Sequence, residues 1–163
     1  MKRRSDPKVD MLRRVPRLSG LRERELAELA PLLEVVDLPA GAVIAQEGRP
    51  GYETLIIVDG RVEVRVGGKV VNEVGPGEFV GEMAQLDRGR RCATATALTP
   101  VRGLLVGPQT FAPLAANSSV ALAMLDGMVD RMRRTQASAA TGAPAPLDAS
   151  AKRAAAAFGS MAR

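Results

Sequence analysis

The chain has 163 residues, 46% of them apolar but only 2% aromatic, with a formal charge of +5, one cysteine and no histidine. That is enough chain for one domain whose core has to be aliphatic. It excludes an internal disulfide, removes the commonest metal ligand and general base together, and holds no run near the roughly 18 to 20 apolar residues that span a bilayer.

The charge is unevenly placed. Residues 1–17 carry seven Lys/Arg against two Asp, residues 18–117 carry ten basic against thirteen acidic groups, and residues 118–163 carry six against three. The body is thus mildly acidic and only the ends are basic, which argues against a nucleic-acid-binding face on the body. The start, MKRRSDPKVD, is basic, but no apolar stretch follows it, so it reads as a solvated arm over 1–9 of a cytoplasmic chain rather than a signal peptide.

LSGLRERELAELAPLL (18–33) places Leu21, Leu26, Leu29, Ala30 and Leu33 near helical spacing and predicts a helix over about 21–30, ended or bent by Pro31. The texture then changes to short β-prone runs cut by glycine turns: EVVDL, AVIAQ, ETLIIV, RVEVRV and VVNEV, followed after residue 91 by CATATAL and VRGLLVG. RVEVRV alternates strictly, with Val62, Val64 and Val66 on one face. Strands of this length and spacing predict an antiparallel β-body over about 34–107. Helical texture returns at PQTFAPLAA (108–116) and SSVALAMLDGMVDRMRRTQ (118–136). The second of these is expected to be capped by Ser118 or Ser119, to carry Leu122, Leu125, Met128, Val129 and Met132 as its apolar stripe, and to hold Arg131, Arg133 and Arg134 near its C-terminal end. From Ala137 to Arg163 the chain is rich in Ala, Ser and Pro and reads as a disordered tail, with a helical turn around 151–158.

One stretch stands apart. Residues 81–95, GEMAQLDRGRRCATA, lie between two strand regions and are too irregular to be a strand. Gly81 permits close backbone approach, and Glu82, Met83, Ala84 and Gln85 favour a short helical turn. Such a turn points unpaired N–H groups outward and suits an anion, which Arg91 can face bidentately. Glu82 repels an anion, so its presence makes sense only if the ligand also offers hydroxyl donors. A phosphate joined to a sugar meets both demands. The bland alternative is a plain ion pair between Glu82 and Arg91. Cys92 has no histidine to activate it and reads as a small buried residue.

The stretch resembles the phosphate-binding cassette of cyclic-nucleotide-binding domains, those of catabolite activators and protein kinase A regulatory subunits, in its Gly81-Glu82, Met83-Ala84 and Arg91-Cys92-Ala93-Thr94. The resemblance extends over about residues 10–136 through Leu38-Pro39-Ala40-Gly41, Gln46-Glu47-Gly48, Ile57-Val58-Asp59-Gly60 and Gly75-Pro76-Gly77-Glu78-Phe79. It implies an antiparallel β-roll or jelly-roll barrel, an N-terminal helix, a short cassette helix and C-terminal helices at about 108–136. It implies that Glu82 accepts a ribose 2′-hydroxyl, that Arg91 pairs with the cyclic phosphate, and that the backbone of Gly81, Met83, Ala84, Cys92 and Ala93 completes the cradle. The chain departs from the family at Val80, where Phe is usual, at Gln85, where Leu is usual, at Ala95, where a larger aliphatic is usual, and in placing Arg90 beside Arg91. In the family a Thr after the arginine favours cGMP. Cys92 stands there, and a thiol is a poor hydrogen-bond partner, so cAMP is the expected ligand. Met124, Met128 and Arg131 are candidates to cap the base, although a Met on an apolar stripe is more often plain packing.

The expectation is therefore a stand-alone, non-enzymatic regulatory sensor of cyclic nucleotide with no metal or cofactor. Its partners are the nucleotide and a protein, or a second copy, at the C-terminal helix. A catabolite-activator-type transcription regulator is the rival, but only the 27 residues of 137–163 follow the long helix, with no second amphipathic pair for a helix-turn-helix. A ligand-free interaction module is the other. A cupin-like enzyme would lean on histidine, which is absent.

Overall fold

The structure, a computed structural model, describes residues 6–141. Among these residues there are eight strands: β1 Glu34–Leu38, β2 Val43–Ala45, β3 Thr54–Asp59, β4 Val62–Val66, β5 Lys69–Val74, β6 Phe79–Val80, β7 Thr94–Ala97 and β8 Val101–Val106. They form two antiparallel sheets, ordered β1-β8-β3-β6 and β2-β7-β4-β5. The expected β-roll is thus observed, as two open sheets rather than one closed by hydrogen bonds. Among the described residues five α-helices flank it: α1 Pro7–Arg13, α2 Glu23–Leu29, α3 Glu82–Leu86, α4 Pro108–Ala116 and α5 Ser118–Thr141. No single helix among the described residues is long and apolar enough to cross a membrane.

Strand β3 explains the layering. Its run Thr54-Leu55-Ile56-Ile57-Val58 is buried throughout, because both faces of its sheet are covered. Leu55 and Ile57 point toward the second sheet and pack with Ala45, Val62, Val74, Ala95 and Ala97. Ile56 and Val58 point the other way, with Leu104, Val106 and Phe79, into a cluster closed by Leu12, Leu18, Leu26, Phe111, Leu114 and Val120 from the helical side. The second sheet is less completely buried, and in β7 the buried Ala95 and Ala97 alternate with the half-buried Thr94 and Thr96.

Three boundaries differ from the sequence reading. The sequence predicts a basic arm over 1–9, but α1 begins at Pro7, capped by the Asp6 carboxylate accepting from Lys8 N–H (2.9 Å), and Val9 and Leu12 are buried. The dense charge there masks an amphipathic turn. Helix α5 continues to Thr141, past the 136/137 boundary set for a disordered tail. The remainder of that tail, including the helical turn expected at 151–158, lies outside the described residues. The cap of α5 is Asn117, not a serine: its Oδ1 accepts from Ser119 N–H (3.0 Å) and Val120 N–H (3.2 Å).

The face of α5 is the largest correction. Val120, Ala123, Met124, Gly127 and Arg134 are buried, whereas Leu122, Leu125 and Met132 are 66%, 57% and 56% exposed. Val120, Ala123 and Met124 pack into the helical-side core cluster, and ion pairs accompany this rotation. Arg17 holds Asp126 (2.5 Å) and Asp130 (2.7 Å), and Arg134 pairs with Glu78. The largest apolar side chains of the predicted stripe are left facing solvent.

Candidate functional site

Helix α3 and the loop to β7 close one end of a cavity of about 590 Å³, within the range of small-molecule sites. Valines 64, 66, 71 and 74 of β4 and β5 form an apolar wall, and α5 roofs it with Met128, Arg131, Met132, Thr135 and Gln136. All seven residues singled out from the sequence, Gly81, Glu82, Met83, Ala84, Arg91, Cys92 and Ala93, line this one cavity.

Arg91 is half-buried. Its Nη1 donates to the Gly81 carbonyl (2.9 Å) and its Nη2 to the Glu53 carbonyl (2.8 Å). No carboxylate forms a salt bridge with it among the described residues. Burial holds its guanidinium below the ordinary value, partly offset by Glu53 and Cys92. Two of its five N–H donors serve carbonyls, which leaves three for a ligand. Two glycines make its slot. A β-carbon on Gly81 would stand 2.1 Å from Nη1, and one on Gly51 would stand 2.2 Å from Nε. Gly81 also has φ of +92°, a backbone region that side chains rarely adopt. The neighbouring Arg90 lies outside the cavity and donates to the Gly48 carbonyl (2.8 Å).

Glu82 sits at the first position of α3 and is 1% exposed. It does not pair with Arg91. Its Oε1 is instead met by the Arg131 guanidinium of α5, in ion-pair contact but without a well-formed hydrogen bond. Arg131 also donates to the Phe79 carbonyl. Burial pulls Arg131 down to about 10; Glu78 opposes this, and Arg134 and Arg17 add to it. Gln85 is half-buried and ties α3 to β3 by donating to Thr54 Oγ1 (2.8 Å). Cys92 is exposed at the rim, with its thiol 3.9 Å from Met83 Sδ, and is not the buried residue expected from its size. The loop after Arg91 turns it outward before β7 begins at Thr94.

A half-buried cation without a carboxylate and a buried carboxylate thus share one apolar cavity. The model of the cyclic nucleotide-binding domain matches residues 35–118, which include the whole of this stretch. This chain belongs to the cyclic nucleotide-binding domain family. A cyclic nucleotide-gated potassium channel from Mesorhizobium japonicum is 38% identical over 104 residues, covering 64% of this chain and 29% of the channel. A CRP-like cAMP-activated global transcriptional regulator from Mycobacterium tuberculosis is 28% identical over 132 residues, covering 77% of this chain and 59% of the regulator. Among solved structures, the N-terminal domain of a transcriptional regulator from Streptomyces coelicolor superposes with a TM-score of 0.58 at 34% identity, covering 77% of this chain and 94% of that one. The chain spans less than two thirds of the length of these curated relatives.

Sequence reasoning missed three features at and around the site of this cyclic nucleotide-binding domain. Gly51 and the Glu53 carbonyl, which shape the Arg91 slot, carry no side-chain signal. The Arg131–Glu82 contact joins segments far apart in the chain, where the sequence offers Arg131 only as a candidate cap for a base. The buried pair Glu78–Arg134, with Glu78 Oε2 accepting from Gly75 N–H (2.9 Å), reads in sequence as two ordinary surface charges.

Proposed function

We propose that the cavity binds a cyclic nucleotide, cAMP in preference to cGMP, and that the domain acts as a regulatory binding module rather than an enzyme, in the cytoplasm. One observation carries this reading. Arg91 is held by two carbonyls in a glycine-walled slot, lacks a carboxylate partner among the described residues, and faces the cavity that also contains Glu82. A cyclic phosphate matches the three remaining guanidinium donors, and the first-turn amides of α3 have no intrahelical acceptor. The ribose 2′-hydroxyl is the donor that a carboxylate in an anion site requires. The valine wall suits a purine face. The preference for cAMP rests on Cys92, a weak hydrogen-bond partner where a hydroxyl would serve guanine.

Calorimetric titration with cAMP and cGMP tests the proposal. Micromolar or tighter binding of cAMP, weaker binding of cGMP, and loss of both in Arg91→Glu are expected. Absence of heat with either nucleotide refutes it.

The partner at α5 is proposed to be a second copy of the chain. Leu122, Leu125, Val129 and Met132 recur at three- and four-residue intervals, and three of the four are exposed by more than half. That is the spacing of a two-helix seam. Sedimentation should give a dimer that Leu125→Glu converts to a monomer; a wild-type monomer at high concentration refutes this part.

A further inference from the structure

The two ends of the site share one anchor. Strand β3 opens with Thr54, which is 0% exposed, directly after Glu53, whose carbonyl takes Arg91 Nη2 (2.8 Å). The same carbonyl lies close to Gly81, where an added β-carbon would stand 2.7 Å from it. The Thr54 hydroxyl accepts from Gln85 Nε2 of α3 (2.8 Å). That nitrogen also approaches the carbonyl of Val106 (3.5 Å), the residue of β8 that pairs with Thr54. Residues 53 and 54 therefore hold Arg91 through a main-chain oxygen and α3 through a side-chain oxygen.

Helix α3 needs such a tie. It has five residues, too few for a helix to hold itself in water, and Gly81 at its N-cap makes no side-chain cap bond. Met83 and Leu86 are largely exposed, and Ala84 buries only a methyl group. Gln85 stands where Leu is usual in the family. An apolar contact there is non-directional and lets α3 slide along the sheet, whereas a hydrogen bond weakens steeply away from its preferred distance and angle.

We propose that Gln85 is a positioning residue for nucleotide binding: its hydrogen bond to Thr54 fixes α3 on the strand end that holds Arg91, and so sets the spacing between the Glu82 carboxylate and the Arg91 guanidinium. Gln85 does not line the cavity and acts through Glu82 on the same short helix. A cyclic nucleotide spans that spacing with its phosphate and its 2′-hydroxyl, so a displaced α3 penalises ligands that use both ends. A 2′-deoxy nucleotide uses the Arg91 end alone and tolerates the displacement. The inference rests on the reading of Arg91 and Glu82 as the phosphate and sugar contacts.

The test is calorimetric titration of cAMP and its 2′-deoxy analogue into the wild-type chain, Gln85→Met, Thr54→Val, the double variant and Thr54→Ser. The first two substitutions keep the shape and remove one partner each, and Thr54→Ser keeps the hydroxyl. Gln85→Met and Thr54→Val should each weaken cAMP about five- to tenfold, the span of one lost hydrogen bond. The double variant should be no weaker than either single one, as for two partners in one bond. The 2′-deoxy analogue should stay within about twofold throughout, the scatter of uncoupled sites, and Thr54→Ser should match the wild type with both ligands. Equal losses for the two ligands mean a merely structural tie and overturn the proposal, as do unchanged cAMP affinities in the folded variants. If the wild-type chain binds neither ligand, the reading of Arg91 and Glu82 fails and takes the positioning role with it. Nuclear magnetic resonance of the wild-type chain gives a readout that needs no variant to fold. The Gln85 side-chain amide protons should exchange slowly with water, both free and with cAMP bound, and exchange at the rate of a solvated amide in the bound chain overturns the proposal.

Discussion

Substituting Gly51 by Ala moves Arg91 without touching it. The added β-carbon would lie 2.2 Å from Nε, 2.5 Å from Cζ and 2.6 Å from Cδ of Arg91. Ordinary contact begins at 3.4 Å, so Nε has to retreat by about 1.2 Å. The far side of the slot is the Gly81 backbone, so the guanidinium slides out of plane with its two carbonyl acceptors, which now stand at 2.9 and 2.8 Å. A shift of that size takes both bonds past the useful hydrogen-bond range. The backbone at residue 51 is not in the positive-φ region, so alanine adds no strain of its own. Losing one well-placed charged hydrogen bond to the phosphate costs about 1.5–3 kcal/mol, which is roughly 10- to 150-fold in affinity. Calorimetry with cAMP should show that loss in Gly51→Ala, while circular dichroism melting stays within a few degrees of wild type. Wild-type affinity in a folded Gly51→Ala protein would refute the idea that the position of Arg91, and not merely its charge, carries the phosphate contact.

Arg134→Met strands Glu78, which is 1% exposed, and should lower stability by about 3–5 kcal/mol in urea unfolding. The double variant with Glu78→Met should recover much of that loss, and a double variant no better than the single would show that Glu78 tolerates solitude. Acid stability follows from Glu25, held below the usual carboxylate range by the Arg22 backbone N–H and then by the Asn117 amide. A carboxylate whose folded value is depressed contributes stability that is complete above its unfolded value and is lost as pH falls through the folded one. The melting temperature should therefore decline below about pH 4.5, and Glu25→Gln should be less stable at neutral pH with a shallower acid decline. An unchanged slope would remove Glu25 as a contributor.

The sequence by itself determined whatever is local. The alternation of β4, the turns between strands and the run from Gly81 to Ala93 depend on near neighbours, so the β-body and the short turn facing Arg91 were legible in order and spacing, and the resemblance of that run to the family's cassette supplied the set of seven residues. The split role of β3 was latent in its unbroken apolar run. Tertiary structure alone decided what meets what across the chain. It set the rotation of α5, where the packing of Val120, Ala123 and Met124, the buried Arg134–Glu78 pair and the Arg17 pairs with Asp126 and Asp130 go together with the exposure of Leu122 and Leu125, and no periodicity encodes that contest. It also placed Gly51 against Arg91 and Arg131 on Glu82. Charges in one chain acquire their partners only when folding removes water between them, and that choice is made by packing geometry rather than by residue type.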